Sequence, residues 1–471
     1  MAKVRICDDR KKHHLCALAT WQSGKMSKGK GKRLLLVTYY WPPSGGPGVQ
    51  RWLKIVKYLI RLGWEVTVYT PSNPEINDKD VSLLKDIPSG TSLLQRSIIE
   101  PLRLYKRILG KKSVGNGLLA EEGNKKRQRG RLGRLFLWVR ANLFVPDARA
   151  LWIGPSVRFL RRWLRRHPQD IMVTTGPPHS MHLIGRGVHR ATGLPWVADF
   201  RDPWLHIDYH QHLPFSSHTW ARLGKMERSV VEEADAVTVV TDGMVDDFAA
   251  YTPRQLRVIY NGFDLEDFPT PTHRPSSPSA PLRMVYTGSM NPDRNPLLLW
   301  SVLEELQKEA IITPTSFRLE IVGTCDVSVK TSITDSGLEE LVEIRGSIPH
   351  AAIPSLLCGA DLLLLSVNRA PSSKAILTGK LFEYLASGRP IVALAPTDGE
   401  AARLIATTQS GQAFDEEDKA RLRSYLVTAL ESHQRGEGSS SPETHARHLA
   451  PYTRAYQAEQ FAALFDEILN P

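Results

Sequence analysis

Residues 379–394, GKLFEYLASGRPIVAL, hold the side chains best placed to do chemistry. The pattern predicts a helix opened by Gly379, a Gly-Arg-Pro turn, and a buried parallel strand at Ile391–Leu394. Lys380 and Glu383 lie three residues apart, so they share one helix face. Free N–H groups at a helix N-terminus, here near Thr378 and Gly379, suit a phosphate, and Lys380 adds positive charge. Glu383, one turn in, can accept hydrogen bonds from a ribose. These are the two handles of a nucleotide diphosphate. The same residues also fit a plain surface helix with an i,i+3 ion pair.

A diphosphate carries negative charge, and preorganised cations and amides hold it. Arg294 and Lys380 are candidate cations, and Gly45 and Gly46 let backbone approach the phosphates closely. If these cations suffice, no metal is needed, and no cofactor is expected beyond the nucleotide-diphosphate substrate. Ligands of open α/β sheets lodge beyond the carboxyl ends of strands. Asp199, Arg201 and Asp202 end one strand in DFRDPW, and His179 follows another in TTGPPHS. Asp202 is the candidate for orienting or deprotonating an acceptor hydroxyl, and His179 is a second catalytic candidate. Asp199 and Arg201 are candidate acceptor contacts. A helix cap or a salt bridge to Arg201 would account equally for Asp202, and a structural role for His179.

Positioning these groups takes two rounds of βα alternation. The first runs from strand Arg33–Tyr39 and helix Val49–Leu62 to strand Leu256–Tyr260. The second runs from strand Leu282–Thr287, with a helix from about Arg294, to strand Ile391–Leu394. The Pro/Ser-rich stretch PTPTHRPSSPSAP, residues 269–281, separates them. The expected division is a disordered basic tail (1–31), an N-terminal Rossmann-like domain (32–268), the linker, a C-terminal Rossmann-like domain (282–440) and a last helix (441–471). That helix carries Phe461, Leu464, Phe465, Ile468 and Leu469 on one stripe.

At 471 residues with four cysteines and no CxxC pair, a disulfide framework is not indicated, and a reducing compartment is expected. No apolar run approaches the ~18 residues that span a membrane. The net charge of +12 is concentrated. Residues 100–166 hold 18 Lys or Arg against 4 Asp or Glu, and residues 1–33 hold 10 against 2. Within this basic insertion, Val157, Leu160, Trp163 and Leu164 make an apolar stripe flanked by Arg158, Arg161, Arg162, Arg165 and Arg166. Such a helix suits an anionic membrane surface, or else a core-packed helix with a solvated basic face.

Several segments in register resemble the family 4 retaining glycosyltransferases of the GT-B fold. They are VTYYWPPSGGPGVQR, VIYNGFDLEDF, YTGSMNPDRNP, GSIPHAAIPSLLCGADLLLLS and EYLASGRPIVAL. The resemblance covers roughly residues 33–470. It implies two Rossmann-like domains facing a cleft, the first for the acceptor and the second for the donor, with the last helix crossing back to the first. The implied activity is transfer of a sugar from a nucleotide diphosphate to a lipid-linked or envelope polysaccharide acceptor, with retention. Three positions depart from the family. Ala375 stands where the first of two family glutamates touches the donor sugar, Glu383 being the second. Ser289 stands at the usual arginine of the donor loop, with Arg294 at the lysine position. Arg201-Asp202 replaces a His-Asp pair.

A nucleotide-sugar epimerase of the same fold would not need a basic insertion. A nucleic-acid binder would explain the overall basicity but has no recognisable motif here. The expected partners are therefore a nucleotide sugar, a lipid-linked or oligosaccharide acceptor and an anionic membrane, with no nucleic acid. The expected location is the cytoplasm, peripheral to the membrane's inner face.

Overall fold

The computed structural model describes residues 31–75, 79–99, 131–205, 207, 210, 213–269, 278–370, 373–437 and 448–471. The expectations for the basic tail, for residues 100–130, for most of the linker and for 441–447 lie outside the described residues.

The first domain is a seven-stranded parallel sheet. Its strands are β1 (Arg33–Val37), β2 (Glu65–Pro71), β3 (Ser92–Arg96), β4 (Ile171–Gly176), β5 (Trp196–Phe200), β6 (Ala236–Val239) and β7 (Leu256–Val258). They lie in the order β3-β2-β1-β4-β5-β6-β7. Its helices are α1 (Pro47–Arg61), α2 (Arg131–Leu143), α3 (Ala150–Leu164), α4 (Ser180–Thr192), α5 (Ser217–Glu233) and α6 (Gly243–Ala249). The second sheet has six parallel strands: β8 (Leu282–Thr287), β9 (Phe317–Val322), β10 (Val342–Arg345), β11 (Leu362–Ser366), β12 (Ile391–Leu394) and β13 (Gly411–Phe414). Their order is β10-β9-β8-β11-β12-β13. With them come α7 (Leu297–Lys308), α8 (Val327–Asp335), α9 (Ile353–Cys358), α10 (Gly379–Ser387), α11 (Glu400–Thr407) and α12 (Lys419–Gln434), and α13 (Arg454–Leu469) closes the chain. Both sheets reverse strand order at their centre, β1/β4 and β8/β11, which opens a crevice at each carboxyl edge.

Strands covered on both faces read as unbroken apolar runs. Leu34–Val37 and Leu363–Leu365 are accordingly fully buried. Helix α10 ends at Ser387 because Gly388 adopts a left-handed conformation (φ 69°) and Pro390 cannot continue a helix.

Two expectations are corrected. The helix expected from about Arg294 starts at Leu297, because Pro296 forces Asn295 into an extended conformation. Arg294 instead ends a 3-10 turn, Pro292–Arg294, capped by Asn291. The second sheet continues past β12 to β13, whose four residues GQAF carry little pattern. Of the two readings of the α3 stripe, the core-packed helix is the one observed: Leu160 is buried, and Val157, Trp163 and Leu164 pack on the first-domain core. The five arginines of this segment face solvent.

The two domains are stitched by the segment NGFD and by the return of the chain at 452–454. Phe263 N–H donates to Tyr452 O at 3.0 Å, and Arg454 N–H to Phe263 O at 2.8 Å. A Cβ on Gly262 would lie 2.0 Å from Tyr452 O, so only glycine fits between the two crossings. Asp264 accepts from Lys57 Nζ and Tyr58 Oη, both at 2.6 Å, which ties the linker to α1. Helix α13 then packs on α1, with Phe461 against Trp52 (4.9 Å) and Phe465 against Trp64 (5.2 Å).

Candidate active site between the two sheet edges

The second-domain edge brings Arg294, Thr378, Gly379, Lys380 and Glu383 together. Thr378 is the N-cap residue of α10, and its Oγ1 is buried without a hydrogen-bond partner among the described residues. Lys380 Nζ is likewise buried and unpartnered. It lies 3.9 Å from the centre of the Tyr286 ring, over its face. Gly288 (φ 96°) follows β8, and a Cβ there would meet Nζ at 3.2 Å. Among the described residues Arg294 is held by neutral acceptors, donating to Asn368 Oδ1 at 2.5 Å and Ser289 O at 3.2 Å. Burial first, and the Arg294 charge second, bring the Lys380 ammonium down to about 7, against the pull of Glu383. Glu383 is 3.1 Å from His350 Nε2, and this contact raises the His350 pKa above its usual value. His350 was missed in the sequence; its only signal is a histidine just before α9 in GSIPH.

The first-domain edge is built differently. Asp199 is 0% exposed. Its carboxylate accepts from Arg51 Nη2 (2.9 Å), Trp52 Nε1 (2.7 Å), Thr175 Oγ1 (2.9 Å) and Thr238 Oγ1 (2.9 Å). Burial pushes its pKa up, but the Arg51 charge and these bonds hold it below the usual range. Saturated by protein donors, Asp199 is a structural hub under the cleft, which corrects the expectation of an acceptor contact. Arg201 is also occupied: Nε donates to Gly176 O at 3.2 Å and Nη2 to Pro177 O. Its Nη1 lies over Gly48, where a Cβ would come within 2.5 Å. It thereby braces the loop after β4 against the start of α1.

His179 begins α4, is 3% exposed, and stacks on Trp204 at 4.8 Å. Neither of its ring nitrogens has a partner among the described residues, and the same holds for His182 Nε2, Trp41 Nε1, Trp204 Nε1 and Ser44 Oγ. Burial, with His182, His210 and Arg201 nearby, holds the His179 pKa well below its usual value, so its ring is neutral. Asp202 is exposed at the end of β5. Gly45 and Gly46 precede α1 on the same edge, with open space beside Gly46.

One carboxylate crosses between the domains. Glu400, 5% exposed at the start of α11, accepts from Gly243 N–H of α6 at 2.5 Å. A Cβ on Gly243 would also lie 3.3 Å from Ala375 Cβ, the position of the missing family glutamate. A Gly-Glu pair opening a helix in DGEAARLI is the only sequence signal for this bond.

Comparison with known proteins accords with this geometry. Residues 45–262 match the profile of a glycosyl transferase 4-like domain, and residues 281–432 that of glycosyl transferases group 1. A search of curated proteins gives no match. Among solved structures, a glycosyltransferase from Rickettsia africae superposes with a TM-score of 0.60 at 13% identity, over 94% of this chain and 99% of that one. HepE of Anabaena, in complex with UDP and glucose, gives 0.58 at 17%, over 93% and 100%. WaaG, described as a glycosyltransferase of lipopolysaccharide biosynthesis, gives 0.51 at 17%, over 93% and 98%. The chain belongs to the GT-B glycosyltransferases, with a family 4-like first domain and a group 1 second domain.

Proposed function

We propose that this glycosyltransferase moves a sugar from a nucleotide diphosphate to a lipid-linked or envelope polysaccharide acceptor, with retention and without a metal. The observation that carries the donor side is the pair of buried, unpartnered groups at the start of α10, Lys380 Nζ and Thr378 Oγ1, beside Arg294. Buried polar groups without partners are rare and call for a ligand. A diphosphate supplies acceptors to all three, and Glu383 one turn on takes the ribose. As the sugar C1–O bond breaks, its electron pair stays on the leaving phosphate oxygen, where the two cations face it. The acceptor oxygen then bonds to C1, and its proton passes to the leaving phosphate or to Asp202. HepE, solved with UDP-glucose, supports a nucleotide-sugar donor, and WaaG supports an envelope acceptor.

The solvent-facing arginines Arg158, Arg161, Arg162, Arg165 and Arg166 support the reading of an enzyme peripheral to an anionic membrane at its cytoplasmic surface. No described helix is long and apolar enough to cross a membrane. Incubation with a panel of nucleotide sugars and extracted lipid-linked oligosaccharides tests the proposal. A lengthened saccharide with the donor's anomeric configuration is expected; no transfer from any nucleotide sugar would refute it.

A further inference from the structure

Lys380 stands apart from the other lysines described. Its Nζ is shut off from solvent, has no counter-ion among the described residues, and rests on the face of Tyr286. The charged groups around it do not compensate a cation. Arg294, from the turn after β8, is a second positive charge, bonded among the described residues to neutral oxygens. Glu383, on its own helix, is shared with His350 from the segment before α9. Arg454, at the start of α13, is a further buried cation whose charge also interacts with Glu383. Tyr286 and Tyr384 are neutral phenols near neutral pH; burial pushes Tyr286 up to about 12 and Tyr384 up as well, and Tyr384 Oη accepts from Thr287 N–H at 2.9 Å. A cation in this position has lost its hydration and gained only the face of Tyr286 and the pull of a Glu383 already shared with His350.

We propose that Lys380 is an uncharged amine in the empty site and takes up one proton when the donor's diphosphate enters, so that binding creates the cation that catalysis uses. This rests on the donor reading above. The diphosphate brings two negative charges to a place that lacks them, and the proton comes from solvent. Cleavage adds one more negative charge to the leaving group, opposite the new ammonium. After release of the nucleotide diphosphate, the amine returns its proton to solvent. A permanently charged lysine would hold the more highly charged product more tightly; a lysine that can discharge lets it go.

The sign of the pH dependence follows. The bound state carries more protons on Lys380 than the free state, so donor affinity falls as pH rises. The fall is about tenfold per pH unit above about 7, where the free amine loses its proton, and affinity is level below it.

Two measurements test this. In chain labelled with 13C at lysine Cε, the resonance missing from K380Q is followed against pH, first alone and then with UDP-glucose, GDP-mannose and dTDP-glucose in turn. Calorimetry of the binding donor in buffers of different ionisation enthalpy then counts protons taken up at pH 8. The expected result is a Lys380 that titrates near 7 when free, stays charged when bound, and accounts for close to one proton. In K380R, whose guanidinium is always charged, binding survives and the uptake vanishes. A Lys380 that titrates with the other lysines in the free chain overturns the proposal and leaves the donor reading standing. So does one that remains neutral in the complex. A free Lys380 that titrates near 7 in a chain binding no nucleotide sugar overturns the donor reading, and this proposal with it.

Discussion

The two sheet edges share a topology and a facing position, yet they treat polar groups in opposite ways. On the first, the charged residues are satisfied: Asp199 has four side-chain donors, and Arg201 is bonded to two carbonyls. Neutral groups stay unpartnered there among the described residues, namely His179, His182 Nε2, Ser44 Oγ and the indoles of Trp41 and Trp204. On the second edge a lysine Nζ and a hydroxyl are unpartnered, and the neighbouring arginine meets no carboxylate, among the described residues. Neutral donors and acceptors suit the hydroxyls of a sugar, whereas basic groups without a carboxylate suit a phosphate. The contrast supports the assignment of acceptor to the first domain and donor to the second. A carboxylate at the end of a strand belongs to the scaffold when the protein itself saturates it.

The largest effect should come from breaking the saturated side. Asp199→Ala leaves Arg51 buried without its counter-ion, so the first domain should lose about 3–5 kcal/mol in urea unfolding followed by tryptophan fluorescence. Its pKa is lower folded than unfolded, so its contribution is present above pH ~3.9 and is lost as pH falls further. A stable Asp199→Ala protein that fails only with acceptor would restore Asp199 to the site. Next in size, reversing charge at Arg161, Arg162, Arg165 and Arg166 should release the protein from anionic vesicles, at roughly 1 kcal/mol per charge. The same release should follow from added salt. Sedimentation that ignores both would leave these arginines as solvated scaffold.

Smaller changes probe the second edge. Lys380→Met should weaken donor binding by about 1.5–3 kcal/mol without lowering thermal stability, since it removes a buried, unpaired amine. A fall in stability instead would mean that Lys380 is structural. Glu383→Ala should cost donor affinity by a similar amount. His350→Ala should change it by less than about 1 kcal/mol, because His350 only pairs with the carboxylate that the ribose takes over. Equal losses in the two variants would make the pair a single unit.

Much of this was legible in the sequence wherever local chemistry decides. Helix α10 and strand β12 follow from an apolar pattern closed by Gly388 and Pro390. Helix α5, Ser217–Glu233, is bounded by a serine cap that can be seen in the chain. Strands β3 and β13 were hidden because edge strands need few apolar residues. The saturation of Asp199 could not be read, since its partners come from residues 51, 52, 175 and 238. Nor could the link from Glu400 to Gly243, which joins residues 157 positions apart across two domains. The α3 stripe was ambiguous for a related reason: amphipathic spacing does not say whether core or lipid covers it.

Hydrogen–deuterium exchange with a panel of nucleotide sugars tests the central claim, that the donor lodges on the second-domain edge, most directly. The account predicts slowed exchange at 287–295 and 376–384 with the nucleotide sugar that binds, no change at 174–182, and loss of the effect in Lys380→Met. Protection confined to 174–182, or unaltered by Lys380→Met, would contradict it.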